Sequence, residues 1–199
     1  MSKTIDYYFS LISPFTYLGG PRLMDIAKRH DAAIACKPVR LARIFPASGG
    51  LPLGKRAPQR QAYRLIELAR WRDHLGMPLN LHPAHFPTDE TLAAKLVIAA
   101  RRQGADAGAL AHALLRAVWS EERDIADRET LSAVAGENGL NDAALLAAAD
   151  DPSVATEYEA NTDEALERQV FGAPSYYYRN ELFWGQDRLD FLERALATS

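Results

Sequence analysis

Two short segments, one near each end of the chain, constrain its fold more than any other feature. Near the start, an apolar, strand-like run over residues 5–9 leads to Ser13-Pro14-Phe15-Thr16. A serine followed by a proline is typical of a helix N-terminus, with the serine as N-cap and the proline in the first turn. Near the end, Gly172-Ala173-Pro174 precedes a second strand-like run over residues 175–178. We therefore expect the helix N-terminus and the distant proline to lie together at one edge of a sheet.

This combination resembles the active-site skeleton of thioredoxin-type proteins, in which a strand leads into a helix and a distant X-Pro precedes another strand. Redox members of that group carry Cys-x-x-Cys at the helix N-terminus, and the two positions are here Ser13 and Thr16. Disulfide exchange at this site is therefore excluded. The single cysteine, Cys36, lies in the apolar run 32–39, where we predict a buried structural thiol.

Composition excludes some classes of function. The 199 residues carry a formal net charge of −3, and 25% of them are charged, so the chain has no overall positive charge for binding nucleic acid. The sequence contains no apolar run long enough to cross a bilayer, and its N-terminus lacks the basic-then-apolar profile of a secretory signal. We therefore expect a cytoplasmic protein without membrane contact.

Apolar spacing predicts a βαβ unit in the first part of the chain. Strand-like runs at 5–9 and 33–39 flank a segment, 15–29, whose apolar residues recur close to helical spacing. The two strands are expected to be parallel, with a right-handed connection. Residues 42–58 are rich in Gly, Pro, Ser and basic residues, so we predict a loop there, and loops of this length are often functional.

The middle of the chain is predicted to be a helical insertion. Residues 59–168 are rich in Ala, Leu, Glu and Arg, and breaks at Gly, Pro and Asp divide them into roughly five or six helices. A β-hairpin at 175–178 and 182–184 and a closing helix at 189–196 follow. The predicted fold is α/β, with a thioredoxin-like domain (βαβ plus a C-terminal ββα unit) at residues 1–58 and 169–199, interrupted by a helical domain at residues 59–168.

Segments spread over nearly the whole chain are similar to one known family. They are the aromatic strand that leads to Ser13-Pro14-Phe15-Thr16-Tyr17-Leu18, the run Ala117-Val118-Trp119 with residues 124–127, and Val170-Phe171-Gly172-Ala173-Pro174 with residues 183–189. They resemble 2-hydroxychromene-2-carboxylate isomerases and kappa-class glutathione transferases, which share a thioredoxin-like domain interrupted by a helical one. The ending Trp184-Gly185-Gln186-Asp187-Arg188 is closer to the isomerases than to the kappa transferases.

The resemblance implies a glutathione-dependent isomerase. Its reaction would interconvert 2-hydroxychromene-2-carboxylate and trans-o-hydroxybenzylidenepyruvate, or a close aromatic analogue, by reversible thiolate addition, bond rotation and elimination. A free thiol has a pKa of about 8.5, and a helix N-terminus with a hydroxyl donor favours the thiolate. Ser13 is therefore the predicted catalytic residue, and a bare helix cap is the alternative interpretation.

The same resemblance implies where glutathione binds. A cis proline at Pro174 would let the backbone of Ala173 pair with the tripeptide as an added strand would. Gln186 and Asp187 match positions that hold the γ-glutamyl end, whose ammonium group suits a carboxylate. An Asp187 that merely caps the last helix is the alternative. The predicted glutathione contacts are Ser13, Ala173, Pro174, Trp184, Gly185, Gln186, Asp187 and Arg60.

The implied substrate is an aromatic ring fused to a carboxylate-bearing ring, so its pocket should combine apolar walls with a cation. Lys55 and Arg56 are the preferred partners of the carboxylate, and a solvated basic loop is the alternative. Gly50 stands where family members commonly have asparagine, which removes one polar contact. The predicted substrate residues are Arg43, Phe45, Lys55, Arg56, Phe86 and Trp119.

Other features point to competing functions. His82-Pro83-Ala84-His85 holds two histidines, but the proline breaks helical spacing and no further ligand is near, so we predict no metal site. A hydrolase triad on Ser13 would lack the Gly-x-Ser-x-Gly elbow. A kappa-like transferase or peroxidase, which consumes glutathione, and a non-catalytic thioredoxin-fold binding module stay as alternatives. The resemblance also implies a homodimer.

Overall fold

The structure, a computed structural model, describes residues 3–198. Within that range the chain forms one four-stranded sheet and nine α-helices. The strands are β1 (Lys3–Phe9), β2 (Ala32–Pro38), β3 (Ser175–Tyr178) and β4 (Glu181–Trp184). The helices are α1 (Pro14–Arg29), α2 (Leu41–Ser48), α3 (Pro58–Leu75), α4 (Thr91–Arg102), α5 (Ala107–Trp119), α6 (Arg128–Glu137), α7 (Asp142–Ala149), α8 (Pro152–Glu167) and α9 (Leu189–Ala197). Short 3-10 turns span Leu53–Lys55 and Gln186–Arg188.

The sheet joins the two ends of the chain. Its strand order is β2-β1-β3-β4, with β1 parallel to β2 and the other neighbours antiparallel. Successive residues of a strand point to opposite faces, and β1 is buried on both. Tyr7 and Phe9 belong to the main apolar cluster, whereas Tyr8 belongs to a second cluster on the other face. The predicted βαβ unit and C-terminal hairpin are confirmed.

Six helices, α3 to α8, lie between β2 and β3 beyond the short α2, as the sequence predicts for the helical insertion. They share a core with the sheet, since one apolar cluster contains residues of β1, α1, α4 and α5. At their junction, Tyr17 on α1 stacks on His112 on α5 with ring centroids 5.4 Å apart. The limits of the two domains, at 58/59 and 168/169, stay a prediction. Among residues 3–198, none of the helices combines the length and the apolar content that a membrane crossing requires.

The segment 42–58 is only partly a loop, so the prediction for its first half was wrong. Helix α2 covers that half because Ile44 is fully buried in the second apolar cluster, against Tyr8 and Val39. Gly49 follows with a left-handed φ of 74°, a conformation that ends helices and favours glycine. The glycine therefore marks the end of a short helix, and Pro46 lies within that helix.

Cys36 is buried on β2, as predicted. Burial away from water raises the pKa of its thiol to about 12. The thiol is therefore neutral and unreactive near pH 7, which agrees with a structural role.

Candidate active site

Ser13 lies where β1 leads into α1. Its hydroxyl oxygen accepts a hydrogen bond from the Thr16 amide at 3.3 Å, and Pro14 occupies the first helical position. The same hydroxyl donates to the carbonyl oxygen of Ala173 at 3.4 Å. The two distant segments therefore meet, as the sequence predicts. The side-chain hydroxyl of Thr16, one turn into α1, is buried and has no partner among the described residues.

The segment that faces Ser13 keeps an open backbone position. The Ala173-Pro174 peptide bond is cis, as predicted. The Pro174 carbonyl accepts a hydrogen bond from the Gly185 amide at 2.9 Å, which ties the segment to the end of β4. Within residues 3–198, the amide of Ala173 has no hydrogen-bond partner. An extended peptide can supply that partner in the manner of an added strand.

Gln186 connects the 3-10 turn after β4 to α1. It is buried, and both its backbone carbonyl, at 2.7 Å, and its side-chain carbonyl accept hydrogen bonds from the guanidinium of Arg22. The close approach depends on Gly19, because a Cβ there would lie 2.9 Å from the Gln186 Cβ. The turn is therefore held firmly against the helix that carries Ser13 at its N-terminus.

Asp187 is exposed on the same turn. Its carboxylate pairs with the neighbouring Arg188 at 2.5 Å. Helix α9 has no side-chain cap, so the interpretation of Asp187 as a cap for that helix was wrong. The carboxylate is open to a second cation from solvent.

Trp184 covers the backbone just before Ala173. Its ring lies 4.8 Å from that of Phe171, and 49% of the residue is exposed. Gly172 permits this position, since a Cβ there would lie 2.6 Å from the indole nitrogen of Trp184. A flat, half-open aromatic surface therefore borders the Ser13 site.

A buried carboxylate that the sequence did not predict supports the loop before Ser13. Glu90, directly before α4, accepts hydrogen bonds from the Ser10 hydroxyl at 2.8 and 2.9 Å and from the Leu11 amide. Burial raises the pKa of Glu90 to about 7, although these hydrogen bonds oppose the shift. An acidic residue just before a helix is normally interpreted as a cap, and no local pattern connects it with residues so far away in sequence.

Two of the three aromatic residues predicted for the substrate wall lie together on the helical side. The rings of Phe86 and Trp119 lie 4.9 Å apart, with Trp119 fully buried and Phe86 half-buried. The guanidinium of Arg64, on α3, lies 5.5 Å from the Phe86 ring centroid and 5.7 Å from that of Trp119. Sequence analysis missed Arg64, although its position one helical turn after Arg60 was a usable signal.

Phe45 pairs with a different cation. The guanidinium of Arg56 lies 5.9 Å from its ring centroid. A Cβ on Gly50 would lie 2.6 Å from the same ring. An asparagine at this position would therefore require Phe45 to move, which gives a packing reason for the glycine.

Comparison with known proteins agrees with this geometry. The sequence model of the DsbA-like thioredoxin domain matches residues 4–197. A 2-hydroxychromene-2-carboxylate isomerase from Sphingobium xenophagum is 34% identical over 197 residues, covering 98% of this chain and 99% of that protein. One from Pseudomonas putida is also 34% identical, with 96% and 93% covered. The chain belongs to the 2-hydroxychromene-2-carboxylate isomerase family.

Solved structures support the assignment to this isomerase family. One of 2-hydroxychromene-2-carboxylate isomerase has a TM-score of 0.81 at 30% identity and covers 98% of this chain and 95% of its own. The cytosolic disulfide reductase DsbM from Pseudomonas aeruginosa, solved with GSH, has a TM-score of 0.71 at 18% identity, covering 98% and 99%. DsbM shares the fold alone. The predicted family and thioredoxin-like fold are confirmed.

In this member of the isomerase family, Arg43 is already paired with carboxylates of the protein itself. Its guanidinium forms ion pairs with Glu159 at 2.9 Å and with Asp163 at 2.7 Å, both on α8. Two carboxylates already neutralise its charge. Arg43 is therefore not free to pair with a substrate carboxylate unless these ion pairs break.

The other predicted cations differ in how firmly they are held. Lys55 and Arg60 are exposed, and within residues 3–198 their charged groups form no ion pair. Arg56 is half-buried and donates from Nε to the Leu51 carbonyl at 2.8 Å. Arg56 is thus better fixed for contact with an anion than Lys55 or Arg60.

The competing chemistries gain no support from the geometry. His85 lies 3.9 Å from the carboxylate of Asp124, and the described chain holds no group of three or more side chains suited to a metal ion. The hydrogen bonds of the Ser13 hydroxyl go to Ala173 and Thr16, and neither partner is the histidine that a hydrolase triad requires.

Proposed function

We propose that this protein is a glutathione-dependent isomerase that interconverts 2-hydroxychromene-2-carboxylate and trans-o-hydroxybenzylidenepyruvate, or a close aromatic analogue. The observation that carries the proposal is the contact of the Ser13 hydroxyl, at the N-terminus of α1, with the Ala173 carbonyl. The full-length similarity to proteins that bear the isomerase name supports the reaction class.

The residues around Ser13 fit glutathione. The Ala173 amide lacks a partner, which suits an added peptide strand, and the exposed Asp187 carboxylate suits the γ-glutamyl ammonium. Trp184 and Gly185 border the same segment, and Gln186 fixes the turn that carries Asp187. Arg60 is proposed as an outer contact.

Ser13 is the group that stabilises the thiolate. Its hydroxyl contact with Ala173 is long, at 3.4 Å, so the hydroxyl can turn to a sulfur anion at little cost. The N-terminal end of α1 adds its partial positive charge, and each lowered pKa unit of the thiol corresponds to about 1.4 kcal/mol. Ser13 and the N-terminus of α1 would hold glutathione as a thiolate, which would supply a nucleophile for reversible addition to the conjugated double bond, with the electron pair of the C–S bond returning to sulfur on elimination.

The substrate's ring is proposed to lie against Phe86 and Phe45, with Trp119 behind Phe86. Arg56, together with the more exposed Lys55, supplies positive charge on the loop side. These rings would exclude water from the site. The lower local dielectric constant then strengthens the attraction between the substrate's carboxylate and a cation.

Asp187→Asn is expected to raise the dissociation constant of glutathione roughly tenfold, because the γ-glutamyl ammonium loses a charged acceptor. The effect stays near the lower limit for a charged hydrogen bond because the carboxylate is exposed and shared with Arg188. Calorimetric titration measures it. Asp190→Asn, another exposed aspartate at the start of α9, is the matched control and should bind normally. Equal affinity in both variants would remove Asp187 from the site.

Replacing Lys55 and Arg56 together by alanine is expected to raise the KM of the aromatic substrate roughly tenfold, since the carboxylate loses its loop cations. Glutathione affinity should change little. The two ligands are titrated separately against the double variant. If it loses glutathione and keeps its substrate affinity, the basic loop serves the glycine end of the tripeptide, and the proposed placement of the aromatic acid is wrong.

The enzyme activity itself is tested by following the absorbance of 2-hydroxychromene-2-carboxylate with the purified protein, with and without glutathione. Rapid interconversion that requires glutathione is expected. No conversion under either condition would favour a non-catalytic binding module. A homodimer and a role in the breakdown of naphthalene-like compounds are proposals that rest on the family resemblance, and light scattering tests the first. A cytoplasmic location stays a prediction from the sequence.

A further inference from the structure

Arg64 is a half-buried cation without an anion. Its guanidinium packs over the rings of Phe86 and Trp119, at 5.5 and 5.7 Å from their centroids. Within residues 3–198 it forms no hydrogen bond and no ion pair. Burial, together with the positive charge of Arg56, lowers the pKa of Arg64 to about 10. The side chain is still charged near pH 7.

Other half-buried arginines of the chain have an ion-pair partner or a hydrogen-bond acceptor for the guanidinium. Arg40 contacts Glu159 at 2.5 Å, and Arg168 contacts Asp6 at 2.5 Å. Arg22 donates to the Gln186 carbonyl at 2.7 Å. Removing a guanidinium from water without a partner costs free energy, and cation-π contacts recover only part of it. Arg64 therefore has an unmet requirement for an anionic acceptor.

A second unsatisfied donor belongs to the same cluster. The indole nitrogen of Trp119 is buried and has no hydrogen-bond partner among the described residues. Arg64 and Trp119 thus bring two donors with free hydrogens, an aromatic wall and the nearby charge of Arg56 to one place. This combination favours a planar aromatic anion over an aliphatic or a cationic ligand.

The chain connects this cluster with the Ser13 site. The Asn80 amide donates to the Trp119 carbonyl at 2.7 Å, and the following segment carries Phe86 and then Glu90. Glu90 in turn accepts hydrogen bonds from Ser10 and Leu11, directly before Ser13. One short segment therefore runs from the Arg64 cluster to the loop that positions the proposed catalytic hydroxyl.

We propose that Arg64 is the main binding partner of the substrate's carboxylate, with the ring of Phe86 as the wall that the aromatic part contacts. This inference rests on the proposed function for the identity of the ligand. Arg64 is a specificity-determining residue, because a guanidinium gives a carboxylate two parallel hydrogen bonds that an uncharged analogue cannot match. Arg56 adds further positive charge on the loop side.

The test uses calorimetry without glutathione, and the probes are chromone-2-carboxylate and its uncharged counterpart chromone-2-carboxamide. The wild-type protein should prefer the carboxylate. Arg64→Leu should weaken carboxylate binding roughly tenfold to a hundredfold and abolish the preference, because the charged hydrogen bonds are lost. Arg70→Leu, an exposed arginine on the same helix, is the matched control and should behave as wild type. Arg64→Gln, which keeps a polar side chain, replaces the leucine variant if that variant does not fold.

A wild-type protein without preference for the carboxylate would overturn the inference, as would a folded Arg64 variant that keeps it. Neither outcome depends on turnover, so the result is separable from the proposed function. If isomerase activity is absent but the Arg64-dependent preference is observed, the carboxylate site stands and the proposed reaction fails.

Discussion

Ser13→Ala is expected to lower the turnover number of isomerisation by roughly tenfold to a thousandfold, the range of one lost donor to a developing or resident anion. The variant keeps the partial positive charge of the α1 N-terminus and the Ala173 backbone, so glutathione still binds. Only the hydroxyl that stabilises the thiolate is removed. The loss should therefore appear in kcat at saturating glutathione rather than in the KM for the aromatic substrate.

Measuring unfolding free energy together with turnover distinguishes a catalytic Ser13 from a serine that only caps the helix. Losing the N-cap at Ser13 should lower the free energy of unfolding by about 1 kcal/mol. Asn141→Ala is a matched control, because Asn141 caps α7 through the Ala144 amide at 3.1 Å, away from the proposed site. It should show a similar loss of stability with full turnover. Normal turnover in Ser13→Ala, with glutathione saturating, would reduce Ser13 to a bare cap.

Glu90→Gln is expected to remove a pH dependence of stability. The pKa of Glu90 is about 7 in the folded protein, against 4.5 for an unperturbed glutamate. Between these values the folded state holds a proton that the unfolded state has released, so the free energy of unfolding falls as the pH rises. The fall due to Glu90 should total about 3 kcal/mol and be complete above the folded pKa.

Denaturant unfolding over this pH range measures the effect as a difference between wild type and variant. The stability advantage of wild type over Glu90→Gln should be largest at low pH and shrink as Glu90 ionises. Depressed aspartate pKa values, such as that of Asp6 beside Lys37 and Arg168, act in the opposite direction but cancel in the difference. A flat difference for Glu90→Gln would show that its carboxyl is not buried in solution.

The sequence predicted the parts of the site that depend on local signals. Ser13-Pro14 indicated a helix N-terminus, and the alternation of strands and helix around it predicted the parallel pair β1 and β2. The contact of Ser13 with Ala173 followed from the resemblance, which supplied the pairing that no local pattern contains.

The missed features depend on tertiary partners. Helix α2 contradicted its Gly and Pro content because burial of Ile44 outweighs propensity. Glu90 has its hydrogen-bond donors in the loop between β1 and α1, about 80 residues away in sequence. Arg64 is distinguished by the lack of an ion pair among the described residues, and a sequence does not state which charges remain unpaired after folding.

The central claim is that glutathione acts as a catalyst and is not consumed. It is tested most directly by measuring how many substrate molecules are converted for each glutathione molecule. The protein is supplied with 2-hydroxychromene-2-carboxylate and glutathione in large molar deficit, and both are quantified as the reaction approaches equilibrium. We predict many conversions for each glutathione molecule, with all of the thiol recovered unchanged. Conversion that stops after one substrate per glutathione, with the thiol converted to an adduct or a disulfide, would contradict the account and indicate a transferase or a peroxidase.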